Sequence, residues 1–456
     1  MIINYEYYTQ LELEKCSIIL YKQISELEIY LNSEQLEKLK PDNSVLVIND
    51  LTSIKVFVKL EEDAEKNRRL GAKVFGEIIT FKPEIIKFLG ILDTAFVEGV
   101  TLSSYTFDTF KSKKETYTPV FLLNESNKET FESIRNIIES VFWARDLVNL
   151  PYSHLNALDF EAQIQNRFEN TPVTTTFWNK QKLEEEKFGG LLAVNKASSV
   201  EPRFGILEYK PNNPSNSRPI VLVGKGVVYD TGGLSLKPTE NSMDFMKCDM
   251  AGLAAMVGTL DALQKNNSNK WIIVLCPITD NLIGNNALAP GDVITMKSGH
   301  TVEVMDTDAE GRLILADALE FAKTLNPQIV IDAATLTGSA VRAIGDHAAV
   351  IMGNAPSVIF HSIAKIGEQT GERVARFPFW DDYQDQLKSE VADLKNLGGP
   401  TAGAITAGKF LANFVAYDWL HVDIAGPAYT HKPWHYQKIG GTGFGVRLLH
   451  SLIQEL

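Results

Sequence analysis

The chain has 456 residues and is acidic, with 44 Lys and Arg against 57 Asp and Glu and a formal net charge of −13. Hydrophobic residues make up 45% and charged residues 22%, which is typical of a globular protein with a sizeable core and excludes a disordered or fibrous chain. The negative balance argues against a dedicated nucleic-acid or anionic-membrane binder, because both need clustered Lys and Arg.

The cysteines and the first residues predict a soluble, cytoplasmic protein. Cys16, Cys248 and Cys276 are far apart and form no CxxC pair, so neither a disulfide framework nor a zinc ribbon is expected. The start, MIINYEYYTQLELEK, carries acids where a signal peptide needs a basic flank. No apolar run approaches the ~18 residues of a membrane span.

Residues 1–145 predict a smaller accessory α/β domain. Short apolar runs, such as Ser44–Ile48 and Ile54–Val58, alternate with charged stretches. From Asn127–Asn149 the apolar residues follow a helical period. The helix should end before Pro151, because proline disfavours helical geometry in the residue that precedes it. We expect this helix to connect the two domains.

Residues 146–456 predict a larger catalytic domain with a mixed, largely parallel sheet flanked by helices. Helical periodicity covers Met250–Gln264 and Gly311–Leu325. Apolar runs typical of buried strands occur at Pro219–Val223, Trp271–Cys276, Gln328–Ile331, Ala348–Met352 and His421–Ile424. In such sheets ligands bind at the carboxyl ends of strands, where the unusual residues of this chain fall.

The segment Val223–Lys237 (VGKGVVYDTGGLSLK) follows a predicted buried strand and is rich in glycine. It lacks the GxxxxGK[ST] spacing of a phosphate-binding loop, and Gly441–Gly445 lacks the dinucleotide-binding spacing. Further along, Asp249 precedes a predicted helix, where an aspartate is most often a helix cap.

Three acids lie within the five residues Asp306–Glu310, immediately before an apolar helical pattern. The helix dipole favours acids at this place, so a solvated capping cluster is one interpretation. The alternation of Asp308 and Glu310 favours another, because side chains two apart in an extended segment point the same way. Together with Asp230 and Asp249 they would form a cage of four carboxylates, which divalent cations would neutralise.

The segments GKGVVYDTGGLSLKP, MDFMKCDMAG and DTDAEGRLILADAL are the most distinctive of the chain, and ARDLVNLP, ATLTG, GAITAGKFL, HVDIAGPAY and GTGFGVRLL accompany them. They resemble the signature blocks of the leucyl aminopeptidase family, the cytosolic di-metal aminopeptidases. The resemblance spans most of residues 145–456 and is faint before them. It implies a homohexameric enzyme that releases N-terminal amino acids from peptides with free N-termini.

By that resemblance, five side chains bind two divalent metal ions. Lys225, Asp230, Asp249 and Glu310 would surround one ion. Asp230, Asp308 and Glu310 would surround the other, assisted by the main-chain carbonyl of Asp308. Oxygen ligands and one amine suit zinc or manganese, and magnesium is also compatible. The ions would activate a hydroxide that attacks the scissile carbonyl.

The resemblance also implies the catalytic and substrate-binding residues. Lys237 would stabilise the developing oxyanion, and Arg312 would hold a bicarbonate that helps to transfer protons. Asp306 stands where the family usually has asparagine, and an extra acid there would favour a basic or small residue near the cleavage point or alter metal preference. The positions that match the substrate cleft are Met246, Thr335, Leu336 and Gly338.

Other patterns predict less. His431 and His435 have the spacing of a helical zinc pair, but a proline lies between them, so a loop or core role is expected. Ser362 and Lys365 form an SxxK pair without the SDN or KTG segments of serine–lysine hydrolases. Cys248 has no partnered histidine in the sequence pattern and is expected to pack. The alternative function is that of a DNA-binding or regulatory relative of the same fold, against which the net charge of −13 weighs.

Overall fold

The protein, a computed structural model, divides into two compact units. One comprises Met1–Phe142 and Lys432–Ile439, and the other comprises Trp143–His431 and Gly440–Leu456. The structure describes residues 3–10, 12–37, 44–50, 52–114 and 117–456. Within these ranges no helix is both long and apolar enough to cross a membrane. The functional division between residues 145 and 146 stays a prediction.

The first unit is built on a mainly parallel sheet. Its strands are β1 (Asn4–Tyr8), β2 (Cys16–Tyr21), β3 (Val45–Asn49), β4 (Ile54–Lys59), β5 (Ile85–Gly90) and β6 (Val120–Asn124), and its helices are α1 (Ser33–Glu37), α2 (Ala64–Ile78) and α3 (Thr94–Ser103). The described strands pair in the order β1-β6-β5-β2-β4-β3. All pairs are parallel except that of β3 with β4. The mixed α/β character predicted for this part is confirmed.

Helix α4 (Lys128–Asn149) carries the chain from the first unit into the second. It begins one residue later than the predicted helix and ends, as expected, before Pro151. Its apolar stripe includes Phe131, Ile138 and Phe142, all of which are buried.

The second unit contains the larger sheet. Its strands are β7 (Val173–Trp178), β8 (Arg203–Tyr209), β9 (Ile220–Gly224), β10 (Gly226–Asp230), β11 (Ile272–Asn281), β12 (Val293–Thr295), β13 (Thr301–Glu303), β14 (Ile329–Ala334), β15 (Ala349–Gly353), β16 (Val374–Arg376), β17 (Leu394–Lys395), β18 (Trp419–Asp423), β19 (Tyr429–Thr430) and β20 (Gly440–Gly441). Its helices are α5 (Ala157–Phe168), α6 (Lys180–Glu185), α7 (Gly189–Val194), α8 (Ala251–Lys265), α9 (Gly311–Ala322), α10 (Gly338–Ile344), α11 (Ser357–Thr370), α12 (Gly403–Ala412) and α13 (Val446–Glu455). Short 3₁₀ helices of the described chain are Ile24–Leu27, Ile79–Phe81, Glu125–Asn127, Tyr152–His154, Asn195–Ala197, Met243–Cys248, Lys323–Leu325 and Asp381–Leu387.

The strands of this sheet pair in the order β16-β15-β18-β14-β9-β11-β8-β7, and β10 pairs with β11 beside that path. The central strands β18, β14, β9 and β11 are parallel, whereas β7 with β8, β8 with β11, and β15 with β18 are antiparallel. Helices α8 and α9 both contact β9. The predicted mixed, largely parallel sheet flanked by helices is confirmed.

Two successive strands share the neighbour β11. Strand β9 pairs with its first half, Ile272–Leu275, and β10 pairs with Ile278 to Asn281, so Lys225 lies at the break between β9 and β10. The strand predicted at 271–276 is therefore too short, because β11 continues through Pro277 to Asn281. Its extra length carries Asp230 and Asn281 side by side to the carboxyl end of the sheet.

Candidate functional site

A cavity of about 860 Å³ opens in the second unit, next to the carboxyl ends of β9, β10 and β14. This is the edge at which parallel sheets bind ligands. All the site residues predicted from the sequence line this cavity: Lys225, Asp230, Lys237, Met246, Asp249, Asp306, Asp308, Glu310, Arg312, Thr335, Leu336 and Gly338.

Asp230 is the last residue of β10, and its carboxylate is held on both oxygens. Oδ1 accepts hydrogen bonds from the Gly232 N–H and from Asn281 Nδ2, both at 2.8 Å, and Oδ2 lies 2.9 Å from Lys237 Nζ. Gly232 has a φ of +85°, a conformation that glycine adopts without steric cost. The chain therefore turns back after β10 and brings Lys237 to Asp230 and to Oδ1 of Asp308.

The buried Lys225 joins two other acids. Its Nζ lies 2.8 Å from Asp249 Oδ1, 2.9 Å from Glu310 Oε1 and 3.0 Å from the Thr335 carbonyl oxygen. Asp249 also accepts a hydrogen bond of 2.7 Å from Thr335 Oγ1. The capping interpretation of Asp249 is wrong, since Met250 occupies the N-cap of α8 and no side chain caps that helix.

The acidic segment brings Asp308 and Glu310 to Asp230. One oxygen from each of the three carboxylates lies within 4.8 Å of the others, close enough to share a cation at metal–oxygen distances of about 2.0–2.6 Å. Glu310 stands at the N-cap of α9 but makes no capping hydrogen bond. Asp306 stabilises the acidic segment itself, because its Oδ1 accepts a 2.8 Å hydrogen bond from the Asp308 N–H.

The cluster perturbs the protonation of its members. Burial, together with the carboxylates of Asp230 and Glu310, raises the pKa of Asp308 to about 7. Burial alone would lower the pKa of Lys225 and Lys237, but the surrounding carboxylates outweigh it and hold both pKa values above the ordinary range. Desolvated acids that repel one another are a common property of functional sites.

The donor set fits divalent metal ions. Oδ2 of Asp249 and Oε2 of Glu310 are buried and accept no hydrogen bond from any residue that the structure describes. A buried carboxylate oxygen without a partner is costly, and a cation would remove that cost. Asp230 and Asp308 supply further oxygens at the same place. The residues present therefore match a metal centre in number, charge and chemistry.

Arg312 places a further positive charge at this cavity. It lies in the first turn of α9, is buried, and donates from Nη1 to the Asn396 carbonyl oxygen at 2.6 Å. Burial lowers the pKa of Arg312 to about 10, which leaves the guanidinium cationic at neutral pH.

Two asparagines that hold the site were not predicted from the sequence. The buried Asn396 accepts a hydrogen bond from the Met305 N–H at 2.8 Å and donates one to the Asp306 carbonyl oxygen at 2.7 Å, so it fixes the acidic segment. Asn281 binds Asp230 and donates to the Thr307 carbonyl oxygen at 3.0 Å. A longer predicted β11 would have brought Asn281 to the strand end, whereas no pattern in the sequence singles out Asn396.

The other patterns noted in the sequence do not assemble a second catalytic group among the residues that the structure describes. Burial raises the pKa of the Cys248 thiol to about 12, so it is protonated and a poor nucleophile. His431 packs edge-on against Phe245, with ring centroids 4.7 Å apart. Ser362 and Lys365 lie on α11 and do not line the described cavity.

Known proteins resemble this chain in sequence and in structure. The model of the cytosol aminopeptidase family, catalytic domain, matches residues 142–450. A probable cytosol aminopeptidase of Chloroherpeton thalassium is 47% identical over 322 residues, which cover 70% of this chain and 62% of that relative, less than two thirds of its length. Another, from Chlorobaculum tepidum, is 43% identical over 391 residues, which cover 80% of this chain and 75% of the relative.

The solved structure of a bottromycin maturation enzyme, BotP, in complex with Mn superposes with a TM-score of 0.87 at 28% identity, covering 97% of this chain and 99% of that one. The family model spans most of the chain, and the cavity with its acidic cluster lies inside the matched residues. The chain therefore belongs to the cytosol aminopeptidase family of metal-dependent aminopeptidases, and both the predicted family and the predicted class of enzyme, a hydrolase, are confirmed.

Proposed function

We propose that the protein removes N-terminal amino acids from peptides with free N-termini by a mechanism that uses two divalent metal ions. The observation that carries this proposal is the convergence of four carboxylates and two lysines on one cavity, where buried carboxylate oxygens have no hydrogen-bond donor among the described residues. A peptide-sized cavity beside such a cluster suits hydrolysis of a bond near the end of a chain.

The proposed ligands are those in the cluster. Lys225, Asp230, Asp249 and Glu310 would hold one ion, and Asp230, Asp308 and Glu310 the other, with the Asp308 carbonyl oxygen assisting. Lys225 would do so only as a neutral amine, having lost the proton that the surrounding carboxylates otherwise stabilise. When bound, the ions would polarise the scissile carbonyl and lower the pKa of a water molecule. Oxygen-rich ligands with one amine suit zinc or manganese, and BotP, a structural neighbour, was solved with Mn.

Lys237 and Arg312 are the proposed catalytic side chains. The Lys237 ammonium group lies between Asp230 and Asp308, so it would donate a hydrogen bond to negative charge that develops on the substrate oxygen beside them. Arg312 would hold a bicarbonate, for which its buried and permanently charged guanidinium is suited. Such an anion at Arg312 would accept and return a proton, a role for which the cavity wall offers no histidine among its described residues.

Substrate binding is assigned to the wall formed by the segment after β14 and the loop before α8. Thr335, Leu336 and Gly338 follow β14, and Met246 lies in the 3₁₀ helix Met243–Cys248. Leu336 is held by its N–H, which donates to Asp423 Oδ1 at 3.2 Å, so its main chain is fixed for contact with a peptide. The apolar and polar side chains of this wall would contact the side chain of the first substrate residue.

The remaining assignments concern the whole protein. Residues 1–145 would form an accessory domain and residues 146–456 the aminopeptidase domain, assembled as a homohexamer in the cytoplasm. The relatives named cytosol aminopeptidases and the three buried, unpaired cysteines support the cytoplasmic location. Sedimentation equilibrium of the full chain tests the hexamer.

The mechanism is tested by hydrolysis of a panel of amino-acid amides after chelation and after addition of single metals. We expect chelation to abolish turnover and zinc or manganese to restore it, with two ions per chain at saturation. Blocking the amino group of each amide by acetylation is the matched control and should prevent cleavage. Turnover that survives complete chelation, or that no metal restores, would refute the two-metal proposal.

A further inference from the structure

The cavity contains a cation that the proposed reaction does not use. Arg342 lies on α10 and lines the cavity together with Ser339 and Gly338. Its Nη2 donates to Ser339 Oγ at 3.1 Å, and its Nη1 lies 3.3 Å from the position that a Cβ on Gly338 would take. The guanidinium is therefore folded back toward the start of α10, along the proposed substrate wall.

Arg342 differs from the other cations of the cavity in its partners. Lys225 and Lys237 are paired with carboxylates, and Arg312 is buried against a main-chain carbonyl. In the described part of the chain, the hydrogen-bond partner of Arg342 is the neutral hydroxyl of Ser339, and no acid lies within ion-pair distance. Its charge is thus available to an anionic ligand.

The position of Arg342 places this charge on the path of a bound peptide. A second cavity of about 250 Å³ adjoins the first, and both are lined by Ser339, Arg342, Pro400 and Gly403. The residues that line the smaller cavity alone are apolar: Ala343, Phe377, Ala402, Ala404 and Ile405. A ligand that extends from the carboxylate cluster toward this recess passes the guanidinium.

We propose that Arg342 determines substrate specificity by binding a carboxylate group of the peptide. The guanidinium offers a planar set of N–H donors that matches a carboxylate, with both charges assisting the hydrogen bonds. The carboxylate belongs either to an acidic first residue or to the C-terminus of a dipeptide or tripeptide. This inference rests on the proposed function, because it takes the occupant of the cavity to be a peptide.

The test compares Arg342→Gln with the wild-type enzyme on two matched pairs of substrates. The first pair is dileucine and its C-terminal amide, and the second is the anilide of glutamate and that of glutamine. One of the two pairs contains the carboxylate that Arg342 binds. For that pair, we expect Arg342→Gln to lower kcat/KM for the charged substrate about 5- to 20-fold relative to kcat/KM for the neutral substrate. Arg342→Lys should retain part of the preference, since it keeps the charge but not the fork of donors.

The control variant is Arg373→Gln, which removes an exposed arginine that pairs with Glu368 and does not line either cavity. It should leave both ratios of kcat/KM unchanged. Added salt should weaken the wild-type preference for the charged substrate, because an exposed ion pair is screened. If the ratio of kcat/KM for the charged substrate to that for the neutral one is the same in Arg342→Gln and the wild type for both pairs, the role of Arg342 is refuted. Cleavage of the neutral substrates supports the proposed function independently of Arg342. Failure of the metal-loaded wild type to cleave any of the four would refute both.

Discussion

Replacing Gly311 with alanine should displace the Lys225 ammonium group without unfolding the protein. Gly311 is the first residue of α9, and a Cβ built there would lie 2.7 Å from Lys225 Nζ and 2.8 Å from its Cδ. Ordinary van der Waals separation is about 3.5–4.0 Å, so the lysine must retreat by about 1 Å. Its contacts of 2.8, 2.9 and 3.0 Å with Asp249, Glu310 and Thr335 cannot all survive that movement.

The expected loss is large in function and small in stability. A displacement of about 1 Å in a catalytic constellation can cost about 100-fold in rate, and we expect kcat/KM to fall by that order. Metal should also be retained less tightly, since Lys225 is a proposed ligand. Alanine is otherwise favoured over glycine in a helix by up to about 1 kcal/mol, so the thermal midpoint of Gly311→Ala should not fall by much.

The measurements are kcat/KM on an amino-acid amide, metal content after gel filtration, and the midpoint of thermal unfolding. Gly76→Ala is the matched control, because Gly76 lies in α2 and nothing is within 4 Å of its added Cβ. A Gly311→Ala enzyme with wild-type activity and metal content would refute the role given to Lys225.

Three other predictions concern the carboxylate cluster, the acidic segment and a buried aspartate of α9. Lys237→Ala should retain both metal ions yet lose about 100- to 1,000-fold in kcat, whereas Asp308→Ala should lose metal. Asp385→Ala, which changes an exposed aspartate, is the control for metal content. An unchanged metal content in Asp308→Ala would contradict the ligand assignment. Asn396→Ala should lower both thermal stability and metal retention, because it leaves a main-chain N–H and a carbonyl of the acidic segment without partners, each at about 1–3 kcal/mol if buried; wild-type behaviour in both assays would argue against that role. Burial raises the pKa of Asp317 to about 7 from 3.8, so the folded protein binds this proton more tightly than the unfolded chain, and this group should make stability fall as pH rises from about 4 to about 7. Thermal unfolding across that range measures the slope, which Asp317→Asn should reduce; an identical slope in the variant would exclude Asp317 as its source.

What could be predicted from the sequence is what lies close along the chain. Asp230 follows a predicted buried strand within a few residues, and Asp308 and Glu310 lie just before a predicted helix, so their places along the chain agree with the local pattern. The extended geometry expected for Asp308 and Glu310 is wrong, because the chain turns at Thr307 and Asp308. The pairing of β9 and β10 with one long neighbour has no local signal, because strand order depends on contacts between distant segments. A proline usually ends a strand, and Pro277 lies inside one here, which is why Asn281 escaped prediction.

The roles of Asn396 and Arg342 could not be predicted from the sequence for other reasons. Asn396 binds a segment 90 residues earlier in the chain, and a single asparagine carries no periodicity that reveals such a partner. Arg342 lies on a short helix with an exposed face, where an arginine normally indicates contact with solvent. Only the cavity walls distinguish it from other surface charges.

The sequence separation of the residues that build the site also has a consequence for folding. Hydrogen bonds at the site join residues that are 24, 51, 75 and 110 positions apart, so the centre depends strongly on non-local contacts. Such contacts form slowly, because the chain must lose most of its freedom before they can be made. During refolding, recovery of high-affinity metal binding should therefore trail recovery of helical circular dichroism, and metal uptake would report the moment at which the central sheet is complete.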